Sequence, residues 1–174
     1  MTNKTFGPKS KISWQALFML ALFGMTAISI YMTNHYFEVK FNTGLGGSLC
    51  DINSYFNCDI TTNSALGAIA GVPTAVFSII LCFIFLIGYI FDSKNLERTN
   101  HFLSIVNLIG CVVLFLYSTF ALGGLCPMCV GYYLLSLLMF FVFHKNSDHF
   151  SPHIPTLLIY GVVVAAISTP IHFN

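Results

Sequence analysis

Charge is the scarcest property of this chain. Lys, Arg, Asp and Glu make up 7% of its 174 residues, where a soluble domain carries about 25%. So little polar surface excludes a soluble globular domain and implies an integral membrane protein. The formal net charge is +1, and no basic stripe exists beyond the lysines flanking apolar runs, which excludes a nucleic-acid-binding surface. Low-complexity tracts, internal repeats and a polar stretch long enough to fold alone are lacking too. No charged residue interrupts any long apolar run, which argues against a transporter that moves protons or ions along intramembrane charges.

What is abundant is apolar sequence. Five runs, at about 12–33, 65–91, 102–122, 127–143 and 156–171, approach the roughly 20 helical residues needed to cross about 30 Å of hydrocarbon. The last two are short, so tilt or flanking residues must complete them. The runs are continuously apolar, whereas a barrel strand alternates apolar and polar positions. An all-α polytopic fold is therefore expected. The first run follows Lys4, Lys9 and Lys11 like a signal peptide, but its apolar stretch is too long and no small-residue cleavage site follows it, so it reads as an uncleaved anchor. With the N-terminus in the cytoplasm, Lys4, Lys9, Lys11, Lys94, Arg98 and Lys145 stay inside and only Lys40 lies outside, as the positive-inside rule requires. The loop at 34–63 and the turn at 123–129 then face outward. Trp14 and the pair Tyr31 and Tyr36 suit the two interfaces.

Six cysteines sort by position. Cys82 and Cys111 fall mid-span and read as small packing residues. Cys50, Cys58, Cys126 and Cys129 lie on the outer side, where disulfides persist. A bridge within Cys126-Pro127-Met128-Cys129 closes so small a ring that it would remove little unfolded-state entropy. That motif also opens a helix, with Cys126 at the N-cap and Pro127 in the first turn. Free N–H groups and the positive end of the helix dipole stabilise a thiolate there, and a thiolate is both nucleophile and leaving group in disulfide exchange. An electron relay between protein thiols and a bilayer-soluble acceptor is the leading expectation. A metal site is disfavoured, because Cys50 and Cys58 are too far apart in sequence for a zinc knuckle. His35, His144, His149 and His153 read as solvated.

The order of these features resembles the vitamin K epoxide reductase family, including bacterial quinone-linked members, over about residues 12–143. A loop cysteine pair is followed by Asn63-Ser64-Ala-Leu-Gly67-Ala-Ile-Ala-Gly71-Val72-Pro73 opening the second span and by the CPMC motif opening the fourth. DsbB is similar in logic but carries its CxxC in the first outer loop. The resemblance implies a four-helix bundle around a quinone pocket with a fifth, peripheral helix. It implies Cys129 beside the quinone, Cys126 as its partner and able to pair with Cys58, and Cys50 as the cysteine that meets a thioredoxin-fold protein. Tyr133 and Asn63 are implied at the quinone head group, with Ser64 as the alternative to Asn63. Independently, Cys129 and Tyr133 are four apart and share a helix face, and neutral donors can polarise a quinone oxygen. Asn63 and Ser64 also suit helix capping.

Gly67 and Gly71 suggest a small-residue packing face, Pro73 a kink, and residues 51–57 a short helix carrying Tyr55 and Phe56. The expected function is a thiol:quinone oxidoreductase of a bacterial inner membrane, using ubiquinone or menaquinone, with a vitamin K-type quinone as a further option. Some members fuse a thioredoxin-like domain after the fifth span; this chain ends at Asn174, so a separate DsbA-like partner is expected. The alternatives are quinone or vitamin K epoxide reduction as in animal relatives, a thiolate metal-binding or transport protein, and a membrane subunit with static bridges.

Overall fold

The computed structural model describes residues 12–41, 53, 55–69, 71–91, 93–146 and 153–172. In chain order these form α1 (Ile12–Phe41), α2 (Cys58–Thr62), β1 (Ala68–Ile69), β2 (Val72–Pro73), α3 (Thr74–Ile90), α4 (Lys94–Phe120), α5 (Pro127–Asn146) and α6 (Ile154–His172). Among the described residues, three helices are long and apolar enough to span a membrane, within Ile12–Phe41, Lys94–Leu122 and Pro127–Lys145, and two shorter apolar helices accompany them. The protein is an all-α polytopic membrane protein; its strands form one two-residue antiparallel pair.

Four helices close a ring. α1 packs on α3 and α5, α4 packs on the same two, and α6 lies outside against α3, α4 and β2. Phe18, Ala21, Leu22 and Met25 recur at helical spacing on α1 and are buried against Cys82 and Phe85 of α3, Cys111 of α4, and Met139, Val142 and Phe143 of α5. Phe18 stacks on Tyr89 at 4.9 Å and meets Phe143 edge-on at 5.9 Å. Leu20, Phe23, Val112, Val113 and Leu134 stay exposed, as side chains that face lipid do. Cys82 and Cys111 are buried and free.

α1 has 30 residues, about 45 Å at 1.5 Å each, so it outruns the hydrocarbon layer by some ten residues. The apolar run at 12–33 ends before the helix does. Nothing between Asn34 and Phe41 breaks the helix, and a Lys40 to Tyr36 hydrogen bond of 3.1 Å supports its last turns. The outer loop is correspondingly shorter than 34–63.

The second span departs from expectation at its start. Residues 65–69 and 71–73 are not helix; they form a turn and the antiparallel pairing of Ala68 with Pro73 and Ile69 with Val72. Gly71 takes φ 81° at the hairpin tip, a conformation that a residue with a Cβ resists. Gly67 sits where a Cβ would strike the carbonyl oxygens of Thr61 and Thr62. Both glycines therefore serve turns, and neither forms a helix-packing face. Pro73 directly precedes α3, where its missing N–H costs no hydrogen bond, so it ends the hairpin and kinks nothing. Thr74 fastens the junction, its N–H donating to the Gly67 carbonyl at 3.0 Å and its hydroxyl to that of Leu66 at 2.6 Å.

At the opposite end, the first turns of α4 bury Glu97, Thr99, Asn100, His101 and Ser104. Asn100 reaches the Ile84 carbonyl at 3.4 Å, and a Cβ on Gly88 would collide with the Asn100 side chain. That glycine sets the approach of α3 to α4. Gly88→Val should overpack this seam and destabilise the protein by about 1–3 kcal/mol, read as a lower thermal midpoint in detergent, whereas Gly110→Ala, where a Cβ meets nothing within 4 Å, should leave the midpoint nearly unchanged.

Candidate functional site

The outer end of the bundle is organised by backbone pairing between two loops. Phe56 forms a parallel bridge with Leu125; the Leu125 N–H donates to the Tyr55 carbonyl at 2.8 Å and the Asn57 N–H to the Leu125 carbonyl at 3.0 Å. Tyr55 and Phe56 thus lie outside any helix, while the expected helix at 51–57 falls partly on residues 51, 52 and 54, outside the described residues. The short helix is α2 instead, because the Asn57 side chain accepts from the Asp59 N–H at 2.7 Å and caps it. Gly123 turns the chain at φ 65°, and the Ser118 hydroxyl donates to the Gly124 carbonyl at 2.5 Å. Two loops locked in this register carry Cys58 and Cys126 to the same place.

Their sulfur atoms are 2.8 Å apart and neither residue is exposed. That is less than an angstrom beyond a covalent S–S bond of about 2.05 Å. Tyr31, Met32, Met128 and Cys129 pack around the pair, with the Met32 sulfur 3.9 Å from Cys126. Cys58 is disulfide-bonded, whereas Cys126 and Cys129 are free. Cys50, the expected partner of Cys58, lies outside the described residues.

Cys126 caps α5. Its carbonyl accepts the Val130 N–H at 3.0 Å, and its sulfur accepts the Cys129 N–H at 3.2 Å. The Cys129 thiol bonded to it, with the backbone N–H groups of Cys129 and Met128, holds the Cys126 thiol below its ordinary pKa, and burial opposes this without prevailing. Negative charge on this sulfur is stabilised by donors that the helix terminus leaves open.

His35 is not a solvated loop residue. The extension of α1 buries it to 5% exposure, parallel to the Tyr31 ring at 6.2 Å and with Nε2 2.8 Å from the Asp59 carboxylate. Asp59 directly follows Cys58, so this contact fastens α2 to α1 beside the sulfur pair.

Between the ring helices, the segment at 61–73 and α6 lies a cavity of about 800 Å³. Cys129 and Tyr133 line it, as does Ser64, whose hydroxyl donates to the Thr61 carbonyl at 2.7 Å. Cys58 and Cys126 do not. Asn63 is exposed and C-caps α2, its N–H donating to the Asp59 carbonyl at 2.9 Å. The turn of 63–67 thus aims Ser64, and not Asn63, at the cavity. Among the described residues no Asp, Glu, Lys, Arg or His lines the cavity. Asn107 and Tyr132, which the sequence reading passed over, do; an asparagine inside a long apolar run was the available signal. Among the described residues no three His, Cys, Asp or Glu side chains gather as metal ligands.

A sequence profile of the vitamin K epoxide reductase family matches residues 15–143, most of the chain and all of the described sulfur cluster and the four-helix ring through Phe143. The chain belongs to this family. Membership makes it an oxidoreductase of the membrane. A search of curated proteins found no match.

Cys126 should carry its thiolate at lower pH than an ordinary thiol and lose it only as the pH falls through that lowered value. In Cys129→Ala the principal donor to its sulfur is gone, so ultraviolet thiolate absorbance of the reduced protein should titrate at higher pH; an unchanged titration would contradict the assignment.

Proposed function

We propose that this family member is a thiol:quinone oxidoreductase that reoxidises a separate, DsbA-like thioredoxin-fold protein and so supports disulfide formation outside the cytoplasm. The observation that carries this is the arrangement of one helix turn: Cys126 faces the buried sulfur of Cys58, and Cys129, three residues on, lines the cavity. One turn of α5 thereby connects a disulfide-exchange site to a chamber inside the membrane.

In the proposed relay a thiolate of the reduced carrier attacks Cys50 of a Cys50–Cys58 bridge, and Cys58 leaves as a thiolate. The carrier's second thiol resolves the mixed disulfide. Cys58 then attacks Cys126, opening a Cys126–Cys129 bridge, and Cys129 departs as a thiolate toward the cavity. Return of Cys50 to Cys58 leaves Cys126 and Cys129 reduced and the loop pair oxidised. Cys126 and Cys129 are free thiols here, as such a stage requires of them. Closing the Cys126–Cys129 bridge releases two electrons and two protons.

A bound quinone would supply the acceptor for both, becoming a quinol. The cavity suits such a neutral, largely apolar molecule, because its described lining holds no charged side chain and mixes apolar surface with a few hydroxyl, thiol and amide groups. Tyr133 lies one turn from Cys129 and borders the same chamber, edge-on to Phe115 at 6.3 Å; its phenol is placed to donate to a carbonyl oxygen, and the Ser64 hydroxyl borders the chamber from the loop side. The Lys and Arg distribution supports a cytoplasmic N-terminus and a sulfur cluster on the opposite side of the membrane; in this reading the membrane is a bacterial inner membrane and that side the periplasm.

Purified protein mixed with a reduced thioredoxin-fold substrate and a short-chain ubiquinone analogue should form quinol catalytically. Cys129→Ser should abolish quinol formation while still yielding mixed disulfides with the carrier. No turnover by the wild type, or undiminished turnover by Cys129→Ser, would reject the mechanism.

A further inference from the structure

A polar cluster within the apolar bundle, formed by described residues of α4 and α5, is not used by the relay. The Tyr132 hydroxyl donates to Asn107 Oδ1 at 3.2 Å, and Asn107 Nδ2 donates to the Ser136 hydroxyl at 2.6 Å. The two contacts bring α4 and α5 together at one amide. Ser136 is buried at 1% and Tyr132 at 8%, while Asn107 is half-buried and, with Tyr132 and Ser78, borders the cavity.

A carboxamide offers two N–H donors and two acceptor lone pairs. The contacts to Tyr132 and Ser136 use one of each, leaving one donor and one acceptor on a group that borders the chamber, whose other described lining residues are apolar or carry a hydroxyl or thiol, with no second amide side chain among them. Helix-to-helix bonding alone would be served as well by a fully enclosed amide. Here the braces on both sides fix the amide plane, and its unused capacity remains at the cavity wall.

We propose that Asn107 is a ligand-binding residue: its braced amide, at the cavity wall, hydrogen-bonds a second carbonyl oxygen of a dicarbonyl ring, distinct from the one that Tyr133 meets. The inference rests on the quinone reading and adds to it a residue that selects for two carbonyl groups over one. An amide suits both redox forms of such a ligand. Its N–H donates to a carbonyl, and its oxygen accepts from the hydroxyl that replaces that carbonyl on reduction. No charge has to be buried for either.

Equilibrium binding tests this without turnover. The oxidised wild type is titrated by calorimetry with a ring-dimethylated naphthoquinone, which has two carbonyls, and with tetralone, which has one. Wild type should prefer the diketone, and Asn107→Leu should weaken diketone binding roughly five- to tenfold, the equivalent of one neutral hydrogen bond, while leaving tetralone binding unchanged. In the infrared spectrum of the bound naphthoquinone, one carbonyl band should move toward its unbound position in Asn107→Leu. Should that variant fail to assemble, Tyr132→Phe keeps the ring packed and removes the hydroxyl that orients the amide, and it should lower the diketone preference part-way. Equal losses for both ligands, or unmoved carbonyl bands, would overturn the inference and leave Asn107 as a helix brace. A wild type that binds tetralone but shows no preference for the diketone would overturn it as well, and one that binds neither ligand would overturn the quinone reading together with it.

Discussion

Two sulfur atoms held 2.8 Å apart at the end of a membrane bundle constrain most of what surrounds them. Cys58 and Cys126 are 68 positions apart in sequence and sit on separate loops, so their meeting depends on the bridge between Phe56 and Leu125 and on the Asn57 cap that starts α2 at Cys58 itself. A slip of one residue in that register would turn Cys58 away from its counterpart. The long α1 contributes from the other side: Met32 packs on the sulfur pair, and the continuation of the helix past the apolar run lets His35 grip Asp59.

The same turn of α5 separates two environments. Cys126, at the cap, lies in a closed sulfur and aromatic cluster whose donors favour its thiolate. Cys129 borders a large chamber without a charged side chain among its described lining residues. Disulfide exchange needs stabilised sulfur anions and close approach; a lipid-soluble acceptor needs apolar walls with a few neutral hydrogen-bonding groups. In the proposed relay, a helix N-terminus opening into the bundle would serve both within three residues.

Much of this was legible in the residues. The scarcity of charge and the five apolar runs led to a polytopic helical bundle, and Cys126-Pro127 marked the start of α5 because proline fits a first helical turn. The second span's start was not legible. Residues 65–73 are as apolar as a helix, and only the positive φ of Gly71 and the carbonyls pressed against Gly67 reveal a hairpin, both being three-dimensional facts. His35 looked like a loop residue because hydropathy ends near Thr33 while hydrogen bonding continues to Phe41. Asn63 and Ser64 are adjacent, and no periodicity decides which of two turn residues faces a cavity. Asn107 was visible as a polar residue within an apolar run, but its braces at Tyr132 and Ser136 come from another helix.

The proposed transfer between the two cysteine pairs is most directly examined by mapping disulfides in Cys50→Ser protein purified without reductant. With Cys50 gone, Cys58 has no loop partner, and its nearest sulfur is that of Cys126. Peptide mass spectrometry should then find Cys58 joined to Cys126, with Cys129 free. An intact Cys126–Cys129 bridge beside a free Cys58 would contradict a relay through this contact.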